Sequence, residues 1–360
     1  MAYNQQYKEV HFKSAEKFID YLMPYKTHWM TNYSDMSEKR WIFRGLGNAN
    51  YKLIPSAWRN KKLLHNCIKN HFTSIQNYSS PWTGNIHDFM RSEKINSKKA
   101  NKFFKQIFAE MRLIEDFTKL ANQSRLPVEC VQPFDVSTNF LNFNQEQNFW
   151  MEILYGYKKW SNQIDEICQS NQNEENQEYY CSMEGYFSSE FNKVMVAYAQ
   201  HHGIPTRLLD FTYNPLKAAW FALYQHAKKS RLKSDKLAVI AINLDSLFEF
   251  PHAFISYSTY FDLIDNFKLS DFHNLYYQEG LFLNMNSANE FYYKNGFWPD
   301  LVDYKNYFIE FTDDRVFLKI TLDASQHESL HSILNSLNIN KHILMPSYDN
   351  VSNFILEKYR

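Results

Sequence analysis

Residues 198–222 constrain the fold more than any other part of the chain, because they combine a helix end, a turn, a short strand and a second helix start. The run His-His-Gly-Ile-Pro ends the first helix, since its glycine can adopt the left-handed conformation and Pro205 cannot continue a helix. Residues 206–209 are apolar enough for a buried strand, and Asn214 before Pro215 is typical of a helix start. The segment therefore predicts a helix–strand–helix unit against which the remaining chain packs.

Several polar side chains in this segment stand among apolar neighbours, namely those of Arg207, Asp210, Thr212 and the adjacent histidines His201 and His202. Polar groups near a core need partners, so these residues either pair with one another or face a cleft. One interpretation is structural, with an ion pair between Arg207 and Asp210 and with Thr212 as a cap. The other interpretation is a binding site, and the local sequence leaves both open.

The composition argues against several classes of protein. Lys+Arg and Asp+Glu both number 39, so the formal net charge is zero and gives no argument for binding nucleic acid or a membrane surface. No apolar run approaches the ~18 residues that a membrane-spanning helix needs. The first residues lack a signal pattern, and the cysteines lack the paired spacing of metal ligands. We therefore expect a cytoplasmic protein with reduced thiols and with neither a membrane nor a metal partner.

Arginine is scarce in this chain, and lysine carries most of the positive charge. Arg44, Arg59 and Arg207 nevertheless all lie in or beside the segments with the strongest motifs. A guanidinium is a flat, forked donor that binds a carboxylate or a phosphate through two hydrogen bonds. Residues 40–44 read as a strand that ends at Gly45, where a glycine lets backbone amides approach a ligand. The pattern favours recognition of a carboxylate or phosphate at these points.

Short apolar runs elsewhere predict a single sheet. Residues 42–44, 206–209 and 237–242 each have the length of a strand and are bounded by glycine, proline or polar residues. The last of these runs is continuously apolar, as in a central strand buried on both faces. The sequence therefore predicts an α+β fold with a mixed β-sheet core, formed by residues 1–60 and 190–360.

Residues 60–190 differ in composition and predict a largely helical insertion. Residues 101–120 repeat apolar side chains at helical spacing, and Glu110 and Glu115 on that helix are expected to be solvated. Residues 169–178 consist mainly of Gln, Asn and Glu and have almost nothing to bury. We expect the insertion helices to pack on the sheet domain and the polar loop to stay exposed.

Three motifs give the chain a family resemblance. Residues 43–45 read Phe-Arg-Gly, an aromatic-Arg-Gly motif near the N-terminus. Residues 199–210 run from Ala-Gln-His-His-Gly to Leu-Asp, and residues 278–282 read Gln-Glu-Gly-Leu-Phe. In this order the motifs closely resemble those of the FRG domain family of bacteria and phages, over roughly residues 8–357.

The FRG domain is distantly similar to the ADP-ribosyltransferase fold, and that resemblance implies catalytic residues. That fold places an Arg or His on an early strand, a Ser, Thr or aromatic residue on a strand before a helix, and a Glu, Asp or Gln on a later strand. The matching residues here are Arg44, Thr212, and Gln278 or Glu279. The guanidinium would hold a pyrophosphate, and the third group would stabilise the oxocarbenium-like centre formed as the glycosidic bond breaks. The further residues expected to bind substrate are Gly45, Arg59, His201, His202, Arg207, Asp210 and Tyr213.

Three functions remain open from the sequence. The leading hypothesis is an enzyme that uses NAD as an ADP-ribose donor, in phage defence or as a toxin, with a macromolecular acceptor and an oligomeric state that the sequence does not identify. The competing hypothesis is a non-catalytic module that senses a nucleotide or a phage component through the same pocket, and a nuclease is the third. His201 and His202 are adjacent at a helix end and point in different directions, so we expect no metal bound between them.

Overall fold

A seven-stranded mixed sheet forms the centre of the molecule. The computed structural model describes residues 8–29, 41–59, 61–71, 79–80, 84–85, 97–126, 190–228, 236–244, 261–265, 273–285, 288–306 and 317–359. The strands in chain order are Lys8–Phe12 (β1), Trp41–Leu46 (β2), Ser79–Ser80 (β3), Gly84–Asn85 (β4), Leu208–Thr212 (β5), Lys236–Asn243 (β6), Phe261–Ile264 (β7), Gly280–Met285 (β8) and Phe317–Asp323 (β9). The large sheet has the order β1-β9-β6-β2-β5-β8-β7, and β3 pairs separately with β4. Strand β1 is parallel to β9, and the other neighbours in the large sheet are antiparallel.

Helices cover both faces of this sheet. In chain order they are Ala15–Leu22 (α1), Ser56–Arg59 (α2), Lys61–His71 (α3), Ser97–Gln123 (α4), Glu190–His201 (α5), Pro215–Lys228 (α6), His273–Tyr277 (α7), Ala288–Asn295 (α8), His327–Ser336 (α9), Lys341–Leu344 (α10) and Tyr348–Lys358 (α11). No helix in the described ranges is long and apolar enough to cross a membrane.

The predicted fold class is confirmed, since the structure has an α+β architecture with a mixed sheet. The three apolar runs predicted to share a sheet lie at β2, β5 and β6. Strand β5 starts at Leu208, two residues later than predicted. The backbone N–H and C=O of Thr206 bond the hydroxyl of Ser56 instead of a neighbouring strand. The predicted boundaries at residues 60 and 190 remain predictions, and residues 169–178 lie outside the described part of the chain.

The sheet separates two apolar layers. Helices α1, α6 and α9 cover one face, where Phe18, Trp220 and Leu330 pack on alternate residues of β6 and β9. The opposite layer contains Ile42 and Leu46 of β2, inner residues of β5, β6 and β8, and the segment around Trp58. Apolar side chains of β6 therefore enter both layers, which explains the continuously apolar run of a central strand.

Gly203 and Asn214 set the helix boundaries that the sequence predicts within residues 198–222. Gly203 has a φ of 91°, which favours glycine and allows the chain to turn after α5. Asn214 caps α6, because its Oδ1 accepts hydrogen bonds from the backbone N–H groups of Leu216 at 3.0 Å and Lys217 at 3.3 Å. Strand β5 therefore lies between two helices with well-defined ends.

Gly45 has a packing role that differs from the expected ligand-binding role. It lies inside β2, paired with Val239, and not at the end of the strand. A Cβ added to Gly45 would lie 2.0 Å from the carbonyl oxygen of Ala218 in α6. Gly47 is similar, since its added Cβ would lie 2.6 Å from the backbone nitrogen of His226. Both glycines therefore allow helix α6 to approach β2 closely.

A buried ion pair joins helix α4 to the start of β5. The Nε of Arg207 donates to Oε2 of Glu110 at 2.9 Å, and both side chains are 1% exposed. The Oε1 of Glu110 accepts from Nε1 of Trp58 at 3.0 Å and from Nε2 of Gln106 at 2.7 Å. Two expectations were therefore wrong, because Glu110 is not solvated and Arg207 pairs with Glu110 and not with Asp210.

We expect Glu110→Ala to destabilise the fold by about 3–5 kcal/mol, because it leaves Arg207 as a buried charge without its carboxylate. The measurement is urea unfolding followed by circular dichroism. The matched control is Asp116→Asn on the same helix, which removes a partly exposed i,i+4 pair with Arg112 and should cost only about 0.3–0.5 kcal/mol. Equal losses in the two variants would contradict a dominant role for the buried pair.

Candidate functional site

Arg44 lies on β2 and points into the gap between β2 and β5. Its side chain is 14% exposed, and its Nη1 donates to the backbone oxygen of Asp210 at 2.6 Å and to Oδ2 of Asp210 at 3.3 Å. The guanidinium carbon lies 6.0 Å from the ring centre of Phe211. The guanidinium is therefore held by a carbonyl, a carboxylate and an aromatic ring.

The position of Arg44 follows from the way the two strands meet. Strand β2 pairs with β5 at one position, where Phe43 is opposite Thr212, whereas β2 pairs with β6 along its whole length. The carbonyl of Asp210, on the β5 side of the gap, receives the guanidinium of Arg44. Arg44 therefore has a structural role that the sequence motif alone does not reveal.

Asp210 is the exposed carboxylate of this group. Its side chain is 60% exposed, and its Oδ1 accepts a hydrogen bond from Nε2 of Gln200 at 2.9 Å. The hydroxyl of Thr206 donates to Oε1 of Gln200, which orients the amide so that its nitrogen faces Asp210. Sequence reasoning missed Gln200 as a site residue, although it stands in the Ala-Gln-His-His-Gly motif.

Arg59 adds a second guanidinium at the end of α2. Among the described residues it forms no ion pair, and it is exposed at the surface. Burial of part of the side chain lowers the pKa of Arg59, the charge of Arg44 lowers it further, and the charge of Asp210 opposes both effects. Two guanidiniums therefore lie around one carboxylate, and this arginine group carries an excess of positive charge.

The short helix α2 is tied to the segment just before β5 by two hydrogen bonds, which help to fix Arg59 relative to Asp210. The hydroxyl of Ser56 donates to the backbone oxygen of Thr206 at 3.2 Å and accepts from the backbone N–H of Thr206 at 3.1 Å. Trp58, immediately before Arg59, donates to the buried Glu110 and stacks on Trp298 with ring centres 5.0 Å apart. The backbone that carries Arg59 is thus positioned by packed and hydrogen-bonded neighbours.

The two adjacent histidines have different surroundings. His201 is partly buried beside the arginine group, and its pKa is lowered by burial and by His202, against an opposing effect of Asp210. His202 is exposed, and its ring lies 4.7 Å from that of Tyr198 and 6.1 Å from that of Phe117. In the described part of the chain no three or more His, Cys, Asp or Glu side chains are grouped to hold a metal ion.

Thr212 and Gln278, two of the expected catalytic residues, use their side chains in fold contacts. The hydroxyl of Thr212 is buried, donates to the backbone oxygen of Gln278 at 2.7 Å and accepts from the N–H of Asn214 at 3.0 Å. The amide nitrogen of Gln278 donates to the carbonyl of Leu344 at 3.1 Å. These contacts attach the end of β5 to the segment before β8 and to helix α10.

Glu279 is more exposed than Gln278 and has an unusual backbone. Its φ is 47°, in the left-handed region that favours glycine. Its carboxylate is 43% exposed and accepts from Lys217 at 2.9 Å and from Asn214 at 3.3 Å. Of the two candidates, Glu279 therefore has the more exposed side chain, and its carboxylate reaches solvent.

The remaining predicted residues are less accessible. The hydroxyl of Tyr213 donates to Oδ2 of Asp265 at 2.7 Å, and burial raises the pKa of this tyrosine. Arg207 is buried against Glu110 in the interior, so it cannot meet a ligand at the surface. The structure thus brings seven of the predicted residues together in two sets. The arginine group is Arg44, Arg59, His201 and Asp210 with the unpredicted Gln200, and the second set is Thr212, Gln278 and Glu279 beside Lys217.

The comparisons with known proteins agree with the resemblance over part of the chain. The model of the FRG domain family matches residues 135–231. This match supports the FRG family. It includes the histidines, Asp210 and Thr212, whereas Arg44, Arg59 and Glu279 lie outside it. No curated protein and no solved structure matches the chain.

We expect Arg44→Lys to lower the free energy of unfolding by about 1–3 kcal/mol, because a lysine cannot keep both contacts to Asp210 and leaves a carbonyl without its donor. Urea unfolding measures this change. Arg59→Lys is the control, since Arg59 is exposed, and its stability should stay within about 0.5 kcal/mol of the parent protein. An Arg44→Lys protein as stable as the parent would show that Arg44 has no structural role.

We expect the stability of the protein to fall as the pH decreases below about 6.5, the ordinary pKa of histidine. The folded protein holds the pKa of His201 below that value, so protonation favours the unfolded chain and stability is complete only above it. His201→Gln should reduce the slope of unfolding free energy against pH between about 6.5 and 5. Equal slopes in the variant and the parent protein would exclude His201 as a source.

Proposed function

We propose that this protein binds a nucleotide through the arginine group and uses NAD as an ADP-ribose donor, in phage defence or as a toxin. The observation that carries this proposal is the pair Arg44 and Arg59 around the exposed carboxylate of Asp210. Guanidiniums form strong, geometrically specific hydrogen bonds with phosphoryl oxygens. The FRG match supports the same family as the resemblance from which this activity was inferred.

The electrostatics of the arginine group favour an anionic ligand. Arg44 and Arg59 repel each other, as the effect of Arg44 on the pKa of Arg59 indicates. A pyrophosphate placed between them would neutralise both charges and remove that repulsion. The Nε of Arg44 is also a buried donor with no hydrogen-bond partner in the described residues, and a ligand oxygen or water would satisfy it.

In the proposed reaction the chain supplies orientation and charge. Arg44 and Arg59 bind the pyrophosphate, and the carboxylate of Glu279 stabilises positive charge at the ribose as the glycosidic bond breaks. Lys217 holds that carboxylate in one orientation. His201, whose pKa is lowered by burial, stays neutral at pH 7 and adds no charge beside the anion.

A non-catalytic nucleotide sensor is the second candidate. Thr212 and Gln278 occupy two of the three positions expected to be catalytic, and their side chains are engaged in contacts that hold the fold. A sensor needs the arginine group and has no need of these side chains for chemistry. Binding of NAD without release of nicotinamide would favour this candidate.

We expect Arg59→Gln to weaken NAD binding or turnover by about 10- to 100-fold without changing the melting temperature. A charged hydrogen bond to the ligand is worth about 1.5–3 kcal/mol, and Arg59 is exposed and forms no ion pair in the described residues. The measurement is release of nicotinamide and transfer of label from NAD labelled in its adenosine part, with cell lysate as the source of acceptor.

The control for this experiment is Lys62→Gln, which makes the same change of charge at an exposed position on the neighbouring helix α3. It should leave both binding and turnover unchanged. If NAD neither binds nor turns over in the parent protein, the proposal is wrong. Equal effects of the two variants would show that general charge, and not Arg59, attracts the ligand.

A further inference from the structure

The carboxylate of Asp210 has unused capacity to accept hydrogen bonds. One oxygen accepts from Gln200 at 2.9 Å and the other from Arg44 at 3.3 Å. An ionised carboxylate offers about four acceptor positions, so roughly half remain available at a side chain that is 60% exposed. Asp210 can therefore accept hydrogen bonds from a ligand while it keeps both protein contacts.

The charges around Asp210 restrict which ligand groups can approach it. A phosphate would be repelled by the carboxylate and attracted to the guanidiniums, whereas a cationic group would be repelled by Arg44 and Arg59. Neutral hydroxyl groups meet neither repulsion and donate readily to a carboxylate. A ligand that combines neighbouring hydroxyls with a phosphate therefore fits the arginine group best.

We propose that Asp210 binds the ribose hydroxyls of the nucleotide, so that the site takes ribonucleotides in preference to nucleotides that lack the 2′- and 3′-hydroxyls. The inference rests on the proposed nucleotide binding and adds its sugar specificity. Arg59 binds the phosphate side of the ligand, and Asp210 binds the sugar side. Gln200 acts as a positioning residue, since its amide is oriented by Thr206 and holds Oδ1 of Asp210.

The experiment compares two probes, ADP and 2′,3′-dideoxy-ADP, by isothermal titration calorimetry on the full chain. The parent protein should bind ADP about 10- to 100-fold more tightly, since hydrogen bonds to a charged carboxylate are lost with the hydroxyls. This comparison needs no variant, so it does not depend on the folding of one. Equal affinities for the two probes would overturn the inference.

The variant Asp210→Asn tests whether this side chain causes the preference for ADP over dideoxy-ADP. The ratio of affinities should fall to within about threefold, because an uncharged amide forms weaker hydrogen bonds and one of its two polar atoms is a donor. Affinity for dideoxy-ADP should stay the same or rise, because the variant removes a negative charge beside the phosphate. The control Asp349→Asn, exposed on α11, should keep the parent ratio.

The outcomes separate this inference from the proposed function. ADP binding that is weakened by Arg59→Gln but shows no preference for the hydroxyls refutes the role of Asp210 alone. A preference that persists in Asp210→Asn refutes it as well, since another group must then contact the ribose. Absence of binding to the parent protein, or binding unaffected by Arg59→Gln, refutes nucleotide binding at the arginine group and this inference with it.

Discussion

The buried ion pair between Glu110 and Arg207 is the contact on which the arrangement of the arginine group depends. Desolvation of two charges is expensive, and such a pair is tolerated when further hydrogen bonds satisfy it. Glu110 meets that condition, because Trp58 and Gln106 also donate to its carboxylate. Through Trp58 the pair holds the backbone before Arg59, and through Arg207 it holds the start of β5. One carboxylate of helix α4 thus fixes both the backbone before Arg59 and the start of β5.

Much of the fold could be predicted from local sequence. Gly203, Pro205 and Asn214 produce the helix boundaries because each acts on its own backbone, and the apolar run of β6 reflects burial on both faces. Pairing between distant residues could not be predicted in this way. Arg207 stands three residues from Asp210 but bonds Glu110, which is 97 residues away. The oppositely charged residue nearest to Arg207 in sequence is therefore not its partner in the fold.

The same limit applies to the candidate site. Scarcity of arginine and the motif at residues 43–45 pointed to Arg44 and Arg59, and the structure places both around Asp210. The sequence could not show that one residue has two roles. Arg44 bonds a backbone carbonyl across the gap between β2 and β5, so the residue that defines the motif also holds the sheet together. Gly45 is similar, because the backbone of a helix, and not a ligand, approaches it.

Strand β1 lies at the edge of the sheet, and its partner β9 comes some 310 residues later in the chain. Synthesis proceeds from the N-terminus, so β1 leaves the ribosome long before the strand that completes its backbone hydrogen bonds. Until β9 appears, an extended segment with unpaired N–H and C=O groups is open to other strands, including those of a second chain. Such distant pairing also slows folding, since a very long loop must close before the contact forms. The charged side chains of Lys8 and Glu9, exposed on β1, are of the kind that discourages edge-to-edge association during that interval.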